Sequence, residues 1–220
     1  MPSLRFRFQT IEFGDRGEMD IHLRTLRDRQ QFSDRHQVAE NLGISSASWP
    51  IFGVVWDSSR VLADLMHDFD IKGKRILEVG CGIGLASLVL NKRRADITAT
   101  DYHPEVEAFL NTNALLNNDT VIPFVRTGWA DEDCGLGQFD LIIGSDLLYE
   151  DEHVVLLSDF IDQHTKLKCE VILIDPGRGH HAKFSRKMVS LGYKHTQTAA
   201  IPNEAVAKGY KGQVLRYERS

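Results

Sequence analysis

A glycine-rich segment, Glu78-Val79-Gly80-Cys81-Gly82-Ile83-Gly84, lies between a short apolar run and a helical pattern. Glycine at such a strand-to-helix turn permits a tight bend and lets a ligand approach the main chain. Asp101 ends the next predicted strand, where a carboxylate can accept hydrogen bonds from both hydroxyls of a ribose. In an open sheet covered by helices, both features lie at the carboxyl ends of the strands, where nucleotide-like ligands bind. Together they predict a site for a ligand that contains adenosine.

The spacing of the glycines narrows the chemistry of that ligand. The segment is G-x-G-x-G rather than the G-x-G-x-x-G of dinucleotide sites, and the chain contains no G-x-x-x-x-G-K-[ST] phosphate loop. S-Adenosylmethionine carries no phosphate. It needs a carboxylate for its ribose, a flat apolar slot for adenine and polar groups for its methionine end, so it suits the segment better than a dinucleotide or a nucleoside triphosphate.

Strands and helices that alternate from Lys74 to Leu191 are expected to position these residues. This alternation is typical of a parallel sheet covered by helices. A closing antiparallel pair is expected from Tyr193–Ala199 and the segment around Val214. The predicted strands are 75–79, 97–100, 121–125, 139–144 and 171–174, and the predicted helices are 85–90, 104–116, 152–164 and 181–191, with an earlier helix capped by Asp57 or Ser58.

The first 50 residues have a different pattern. Leu4–Phe13 and Met19–Leu26 alternate apolar and polar residues on either side of Gly14-Asp15-Arg16-Gly17, which predicts a β-hairpin. Irregular sequence follows as far as Ile51. We therefore expect an amino-terminal extension over residues 1–50 and a ligand-binding domain over residues 51–220.

Three further segments resemble a known family. They are the tryptophan-led segment Trp56-Asp57-Ser58-Ser59-Arg60-Val61-Leu62-Ala63, Trp129 after a predicted strand, and Asp146-Leu147-Leu148-Tyr149, a D-x-x-Y motif. With the glycine segment, they resemble the class I S-adenosylmethionine-dependent methyltransferases, and more narrowly the lysine methyltransferases of methyltransferase family 16. The resemblance covers roughly Trp49–Pro176. Asp175-Pro176-Gly177-Arg178 is further similar to the branch that methylates the β subunit of electron-transfer flavoprotein.

The resemblance implies a fold and a set of roles. The fold is a Rossmann-like α/β sandwich with a mostly parallel seven-stranded sheet and helices on both faces, here with the hairpin added. Asp146 and Tyr149 are expected to face the methyl acceptor as catalytic residues. Ser145 departs from relatives that often carry alanine. The residues expected to bind S-adenosylmethionine are Trp56, Glu78, Gly80, Cys81, Gly82, Gly84, Asp101, Tyr102, Trp129 and Ser145.

Composition and charge exclude several classes of protein. A net charge of −5 argues against a nucleic-acid partner, and no apolar run reaches the length of a membrane span. Cys81, Cys134 and Cys169 form no disulfide or C-x-x-C pattern, which together with the lack of an export signal favours the cytoplasm. His180-His181 is interpreted as a surface pair, so no metal is expected.

The charges are unevenly distributed along the chain. Residues 127–165 contain ten acidic residues and no Lys or Arg, whereas the chain from Pro176 onward is mostly basic. The acidic run is interpreted either as a solvated face or as a surface that attracts a cationic substrate.

The predicted function is an S-adenosylmethionine-dependent N-methyltransferase that acts on a lysine side chain of a protein substrate. A small-molecule N-methyltransferase is an alternative with the same fold. Alternatives of other classes are an NAD-dependent oxidoreductase and a non-catalytic cofactor-binding partner protein. The sequence leaves the acceptor and the oligomeric state open.

Overall fold

The structure is a computed structural model that describes residues 4–14, 17–131, 135–201 and 209–220, and within them forms two sheets with flanking helices. The strands are β1 Phe6–Phe13, β2 Met19–Leu26, β3 Arg75–Val79, β4 Asp96–Asp101, β5 Phe124–Arg126, β6 Phe139–Ser145, β7 Thr165–Asp175, β8 Lys194–Ala199 and β9 Gln213–Arg219. The helices are α1 Val38–Asn41, α2 Asp57–Asp68, α3 Leu85–Lys92, α4 Val106–Leu116, α5 His153–His164 and α6 His181–Ser190, and a 3-10 turn covers Trp49–Gly53.

The larger sheet has seven strands in the order β5-β4-β3-β6-β7-β9-β8. The first five are parallel, and β9 runs antiparallel to both β7 and β8. The predicted antiparallel pair is confirmed, but β9 lies inside the sheet and β8 forms the edge. The predicted mostly parallel seven-stranded sheet is confirmed as well.

Apolar residues on both sides of the central strands explain the helical layers. In β6, Leu141 and Ile143 join a core with α2, α3 and α4, whereas Phe139 and Ile142 join a second core with α5 and α6. Successive strand residues point to opposite faces, so a continuously apolar strand needs a cover on each face. The sheet therefore has helices on both faces, as the sequence predicts.

The predicted hairpin forms and docks on α4 through two asparagines. Asn117 accepts a hydrogen bond from the His22 N–H and donates to the His22 carbonyl, both at 2.8 Å. Asn113, one helical turn earlier, does the same for the N–H and carbonyl of Arg24. The two side chains thus satisfy the outer edge of β2, which is otherwise open to strand pairing. Apolar residues of the hairpin, such as Ile21 and Leu23, share the core of the α2–α4 side; the domain division at residue 50 stays a prediction.

Several boundaries differ from the sequence prediction. Trp56, not Asp57 or Ser58, is the N-cap of α2, because the Ser59 hydroxyl takes up its N–H at 3.2 Å. Helix α4 begins at Val106 rather than Pro104, after a turn closed by the Val106 N–H and the His103 carbonyl. Strand β5 begins at Phe124 because Pro123 has no N–H to donate to the sheet.

The structure also bears on the predictions about membrane spans and cysteines. No described helix has the length and apolar character needed to cross a membrane. Cys81 and Cys169 are buried free thiols. Cys134, the turn residues Asp15 and Arg16, and two acidic residues, Glu132 and Asp133, lie outside the described residues.

Candidate active site

The glycine segment forms a tight turn between β3 and α3, as predicted. Its backbone runs so close to the preceding 3-10 turn that a Cβ atom on Gly82 would lie 3.2 Å from the Phe52 carbonyl oxygen, and the residue has a φ of +52°. Cys81 is buried, and its N–H donates to the Thr100 carbonyl at 2.9 Å, which ties the turn to β4. The loop is thus a fixed surface of backbone at the carboxyl ends of β3 and β4.

Asp101 at the end of β4 fastens this turn. One of its carboxylate oxygens accepts the Gly82 N–H and the other accepts the His103 N–H, both at 2.8 Å. Burial raises the pKa of Asp101, and the backbone hydrogen bonds oppose that shift. Each carboxylate oxygen has two acceptor positions, so Asp101 keeps the capacity to bind hydroxyls of a ribose while it holds the loop.

Glu78 lies behind the turn. Its side chain is buried and accepts hydrogen bonds from the backbone N–H and the hydroxyl of Ser87 on α3. Desolvation raises the pKa of Glu78 to about 7, although both bonds from Ser87 favour the ionised form. Glu78 therefore ties α3 to β3, and its predicted contact with the cofactor stays a prediction.

This burial predicts a pH-dependent contribution to stability. The pKa of Glu78 is about 7 in the folded chain against an ordinary value of 4.5, so the native state keeps a proton that the unfolded state loses. Stability from this group is therefore full below about pH 4.5 and is lost as the pH rises towards 7. The Glu78→Gln variant should not show this loss. Between about pH 4.5 and pH 7, its free energy of unfolding should therefore rise by about 3 kcal/mol relative to that of wild type.

Urea unfolding at about pH 5 and pH 8 measures this difference. Glu107→Gln, at an exposed position on α4, is the matched control and should give the same difference from wild type at both pH values. A pH-independent difference for Glu78→Gln would show that the buried carboxyl does not titrate in this range.

Two aromatic side chains follow the carboxyl ends of β4 and β5. Trp129 approaches the glycine turn, since a Cβ atom on Gly80 would lie 3.8 Å from its ring, and it packs edge-on against His153. Tyr102 is partly exposed and donates its hydroxyl hydrogen bond to the Leu42 carbonyl at 3.1 Å. Trp129 and Tyr102 are thus placed by neighbouring strand ends, consistent with walls for a flat ring.

Trp56 lies in a cavity of about 210 Å³ that also contains Asp146. Its indole N–H donates to the Ile51 carbonyl at 3.0 Å, and the Arg29 guanidinium lies 4.0 Å from its ring centroid. The cavity is lined by Arg29, Val55, Trp56, Asp57, Ser58, Asp146, Pro176, Arg178 and Tyr210. The structure thus brings Trp56, a predicted cofactor residue, beside Asp146, a predicted acceptor residue.

Asp146 follows Ser145, the last residue of β6, with a backbone φ of +57°. This left-handed conformation is uncommon for a residue with a side chain, although aspartate tolerates it better than most. The Asp146 N–H donates to the Ile174 carbonyl at 2.9 Å, which fixes the backbone against β7. Because Gly144 pairs with Val79 of β3, Asp146 lies at the strand end next to the glycine turn.

Tyr149 is half exposed, with its ring edge-on to His153 at a centroid distance of 4.4 Å. Desolvation, followed by the negative charge of Asp101, raises the pKa of the Tyr149 phenol. Tyr149 therefore stays protonated at neutral pH and can donate a hydrogen bond, but it cannot serve as a base there.

Sequence reasoning missed three residues of this site. Arg178 pairs with Asp146 through two hydrogen bonds, Tyr210 shares a 2.8 Å hydrogen bond with Ser58, and Arg29 reaches the cavity from the amino-terminal extension. Only Arg178 had a sequence signal, because it belongs to the Asp175–Arg178 segment that resembles a family branch. Arg29 and Tyr210 had none, since they lie far from the site in sequence.

Part of the acidic run is paired with the basic carboxyl-terminal part. Asp151 pairs with Lys183, Asp159 with Lys187 and Asp162 with Arg219, at 2.6 to 3.1 Å. Exposed pairs of this kind contribute little to stability, but they reduce the local negative charge. The negative charge of this segment is therefore smaller than its composition alone suggests.

The two adjacent histidines face different carboxylates. His180 lies 3.2 Å from Asp151, whereas His181 lies 3.3 Å from Asp175. A second cavity, of about 600 Å³, lies at the amino ends of β3 and β4 and is lined mostly by basic residues. Two of these, Lys74 and Lys166, pair with Glu170 and Asp140. This cavity lies at the opposite end of the strands from the glycine turn.

Comparison with protein families places this site in a known context. The sequence profile of a family described as lysine methyltransferase matches residues 38–188, more than half of the chain. This region contains the glycine turn, Asp101, Trp129 and the D-x-x-Y motif.

Individual proteins and solved structures are also similar to the chain. The protein N-lysine methyltransferase METTL21A of Danio rerio is 35% identical over 49% of this chain and 54% of its own length. The electron transfer flavoprotein beta subunit lysine methyltransferase of Xenopus laevis is 28% identical over 69% of this chain and 60% of its own. The chain thus spans little more than half the length of these relatives. Magnesium protoporphyrin IX methyltransferase from Synechocystis, solved with S-adenosylmethionine, has a TM-score of 0.58 at 20% identity over 74% of this chain and 78% of its own, which shows a shared fold.

Proposed function

The chain belongs to the lysine methyltransferase family, and we propose that it transfers a methyl group from S-adenosylmethionine to the side-chain nitrogen of a lysine in a protein substrate. The observation that carries the proposal is the Asp146 carboxylate, which lies in a small cavity beside Trp56 at the strand end next to the glycine turn. A carboxylate there can orient an amine towards a donor held by the turn. Both curated relatives described above are lysine methyltransferases by name, which supports lysine as the acceptor.

The residues around the glycine turn fit S-adenosylmethionine. Asp101 has acceptor positions for a ribose, and the turn exposes backbone where a Cβ atom on Gly82 would approach the Phe52 carbonyl. Trp129 offers a ring surface beside Gly80 of the turn, and Tyr102, the residue after Asp101, offers another beside Gly128. When bound, S-adenosylmethionine supplies a methyl group already activated by its sulfonium charge.

The protein's remaining task is to align a neutral amine and exclude water. At pH 7 roughly one lysine in a few thousand is neutral, given an ordinary pKa of about 10.4. We infer that Asp146 accepts a hydrogen bond from the amine and that Tyr149 closes the other side. The amine lone pair forms the new C–N bond while the C–S bond breaks and its electrons return to sulfur. The proton that the lysine loses beforehand goes to water.

The names of the relatives favour a protein acceptor over a free small molecule, because one is a protein N-lysine methyltransferase and the other a lysine methyltransferase of a protein subunit. The buried free thiols of Cys81 and Cys169 support a cytoplasmic enzyme.

Labelling of a cell extract tests the proposal directly. Purified protein is incubated with tritiated S-adenosylmethionine and extract, and the label is sorted into acid-precipitated protein and the soluble fraction. We expect the label in protein, as methyl-lysine after acid hydrolysis. Label confined to the soluble fraction would favour the small-molecule alternative, and no label above a boiled-enzyme control would contradict methyl transfer altogether.

A further inference from the structure

Arg178 and Asp146 form a two-point ion pair at the site proposed for the acceptor. The Arg178 Nε donates to one oxygen of Asp146 at 2.5 Å, and a terminal guanidinium nitrogen donates to the other oxygen at 2.8 Å. The Asp146 side chain is 14% exposed and that of Arg178 45% exposed, so the arginine is the more exposed partner of the pair. Such parallel hydrogen bonds fix orientation as well as charge.

The loop between β7 and α6 is built to present Arg178. The residue stands between Gly177 and Gly179, both with a φ of +94°. The buried carboxylate of Asp175 accepts the Gly177 N–H at 2.9 Å, which anchors the loop at the end of β7. Since Asp146 is fixed to β7 through the Ile174 carbonyl, both partners of the ion pair are held by the same strand.

A lone carboxylate at the acceptor site has two opposing effects. It orients the amine by hydrogen bonding, but its negative charge also favours the protonated amine, which cannot attack. A guanidinium bound to that carboxylate cancels the charge and leaves each oxygen a free acceptor position. We propose that Arg178 is a positioning residue that neutralises Asp146, so that the carboxylate orients a lysine amine without stabilising its protonated form. This inference rests on the proposed function.

Other charged and titratable groups near this ion pair must be considered in any pH measurement. Asp175 ends β7, Arg178 lies in the β7–α6 loop, and His181 begins α6. Arg29 and Asp57 line the cavity. Tyr149 follows β6, and Tyr210 precedes β9. The pKa values of both tyrosines are raised, chiefly by desolvation. His181 is the neighbour that needs its own control, because its ring nitrogen lies 3.3 Å from the Asp175 carboxylate.

The test is the pH dependence of methyl transfer in wild type, Arg178→Gln and Arg178→Lys. Each is assayed with tritiated S-adenosylmethionine on the extract protein that wild type labels most strongly, from about pH 6.5 to pH 10. Without Arg178, Asp146 should raise the pKa of the acceptor lysine, so the rising limb of the rate should move up by about one pH unit or more. Arg178→Gln should therefore be about tenfold slower at pH 7.5 and approach the wild-type rate at high pH. Arg178→Lys keeps the charge and should stay near the wild-type profile.

Controls separate this role from others. Affinity for S-adenosylhomocysteine should be unchanged in every variant, which shows an intact fold, and Arg186→Gln, at an exposed position on α6, should leave the profile in place. The inference is overturned if Arg178→Gln loses the same fraction of its rate at every pH, if it becomes faster at neutral pH, or if His181→Asn alone moves the limb equally. Failure of wild type itself to label any protein would instead overturn the proposed function.

Discussion

Asp146→Asn should lower the rate of methyl transfer by about 100-fold or more and change the affinity for S-adenosylhomocysteine by less than about threefold. Hydrogen bonds to charged groups typically contribute about 1.5–3 kcal/mol, and about 1.4 kcal/mol corresponds to a factor of ten in rate. Asparagine has nearly the shape of aspartate and tolerates the left-handed backbone that Asp146 adopts, with a φ of +57°. The substitution therefore removes the charge without imposing a new backbone conformation.

Asp151→Asn is the matched control for this prediction. It removes a carboxylate five positions further along the same acidic run, one that is exposed and paired with Lys183. We expect it to retain at least half of the wild-type rate, because Asp151 is already paired with Lys183 and does not line the cavity that contains Asp146. Equal loss of rate and of S-adenosylhomocysteine affinity in Asp146→Asn, measured by scintillation counting and calorimetry, would refute the assignment of Asp146 to the acceptor.

The parts of the fold that the sequence predicted well are those specified by local patterns. The β6 segment is apolar at nearly every position, which indicates a strand covered on both faces. The glycine turn and Asp101 are separated by one helix and one strand, and parallel strands carry both to the same edge of the sheet. Local pattern and sheet geometry together were therefore sufficient to predict that these residues meet.

Features that depend on contacts between distant segments could not be predicted in this way. Strand β9, the last strand in the chain, lies between β7 and β8. This position depends on pairing with two earlier strands, which the local pattern of β9 does not specify. Asn113 and Asn117 look like ordinary polar residues of α4 until β2 lies beside them. Arg178 is separated from Asp146 by 32 positions, and the pair forms because β6 and β7 are neighbours.

The cavity at Asp146 is also formed by segments that are distant in sequence, so its lining could not be predicted from local patterns. Trp56 stays a predicted cofactor residue; it lines the cavity that also contains Asp146, and its ring packs against the guanidinium of Arg29. Arg29 comes from the amino-terminal extension, for which the sequence offered no family counterpart. The extension therefore contributes directly to the wall of the proposed acceptor site.

The second large effect is expected for Asp101→Ala, which should raise the dissociation constant of S-adenosylhomocysteine by about 100-fold or more. The variant loses the proposed ribose hydrogen bonds and leaves the N–H groups of Gly82 and His103 without their carboxylate acceptors. Each lost charge-assisted hydrogen bond costs about 1.5–3 kcal/mol. Asp101→Asn keeps one acceptor oxygen, but its amide group faces one of the two backbone N–H groups, and two donors cannot pair. Its affinity for S-adenosylhomocysteine should therefore lie between those of wild type and Asp101→Ala.

Asp96→Ala tests whether this loss belongs to the site or to the strand. Asp96 begins β4 and is exposed, whereas Asp101 ends the same strand beside the glycine turn. Calorimetric titration should give the wild-type affinity for Asp96→Ala, and thermal unfolding should show a folded chain for all variants. If Asp101→Ala binds S-adenosylhomocysteine as tightly as Asp96→Ala, the ribose is held elsewhere and Asp101 serves only to fasten the turn.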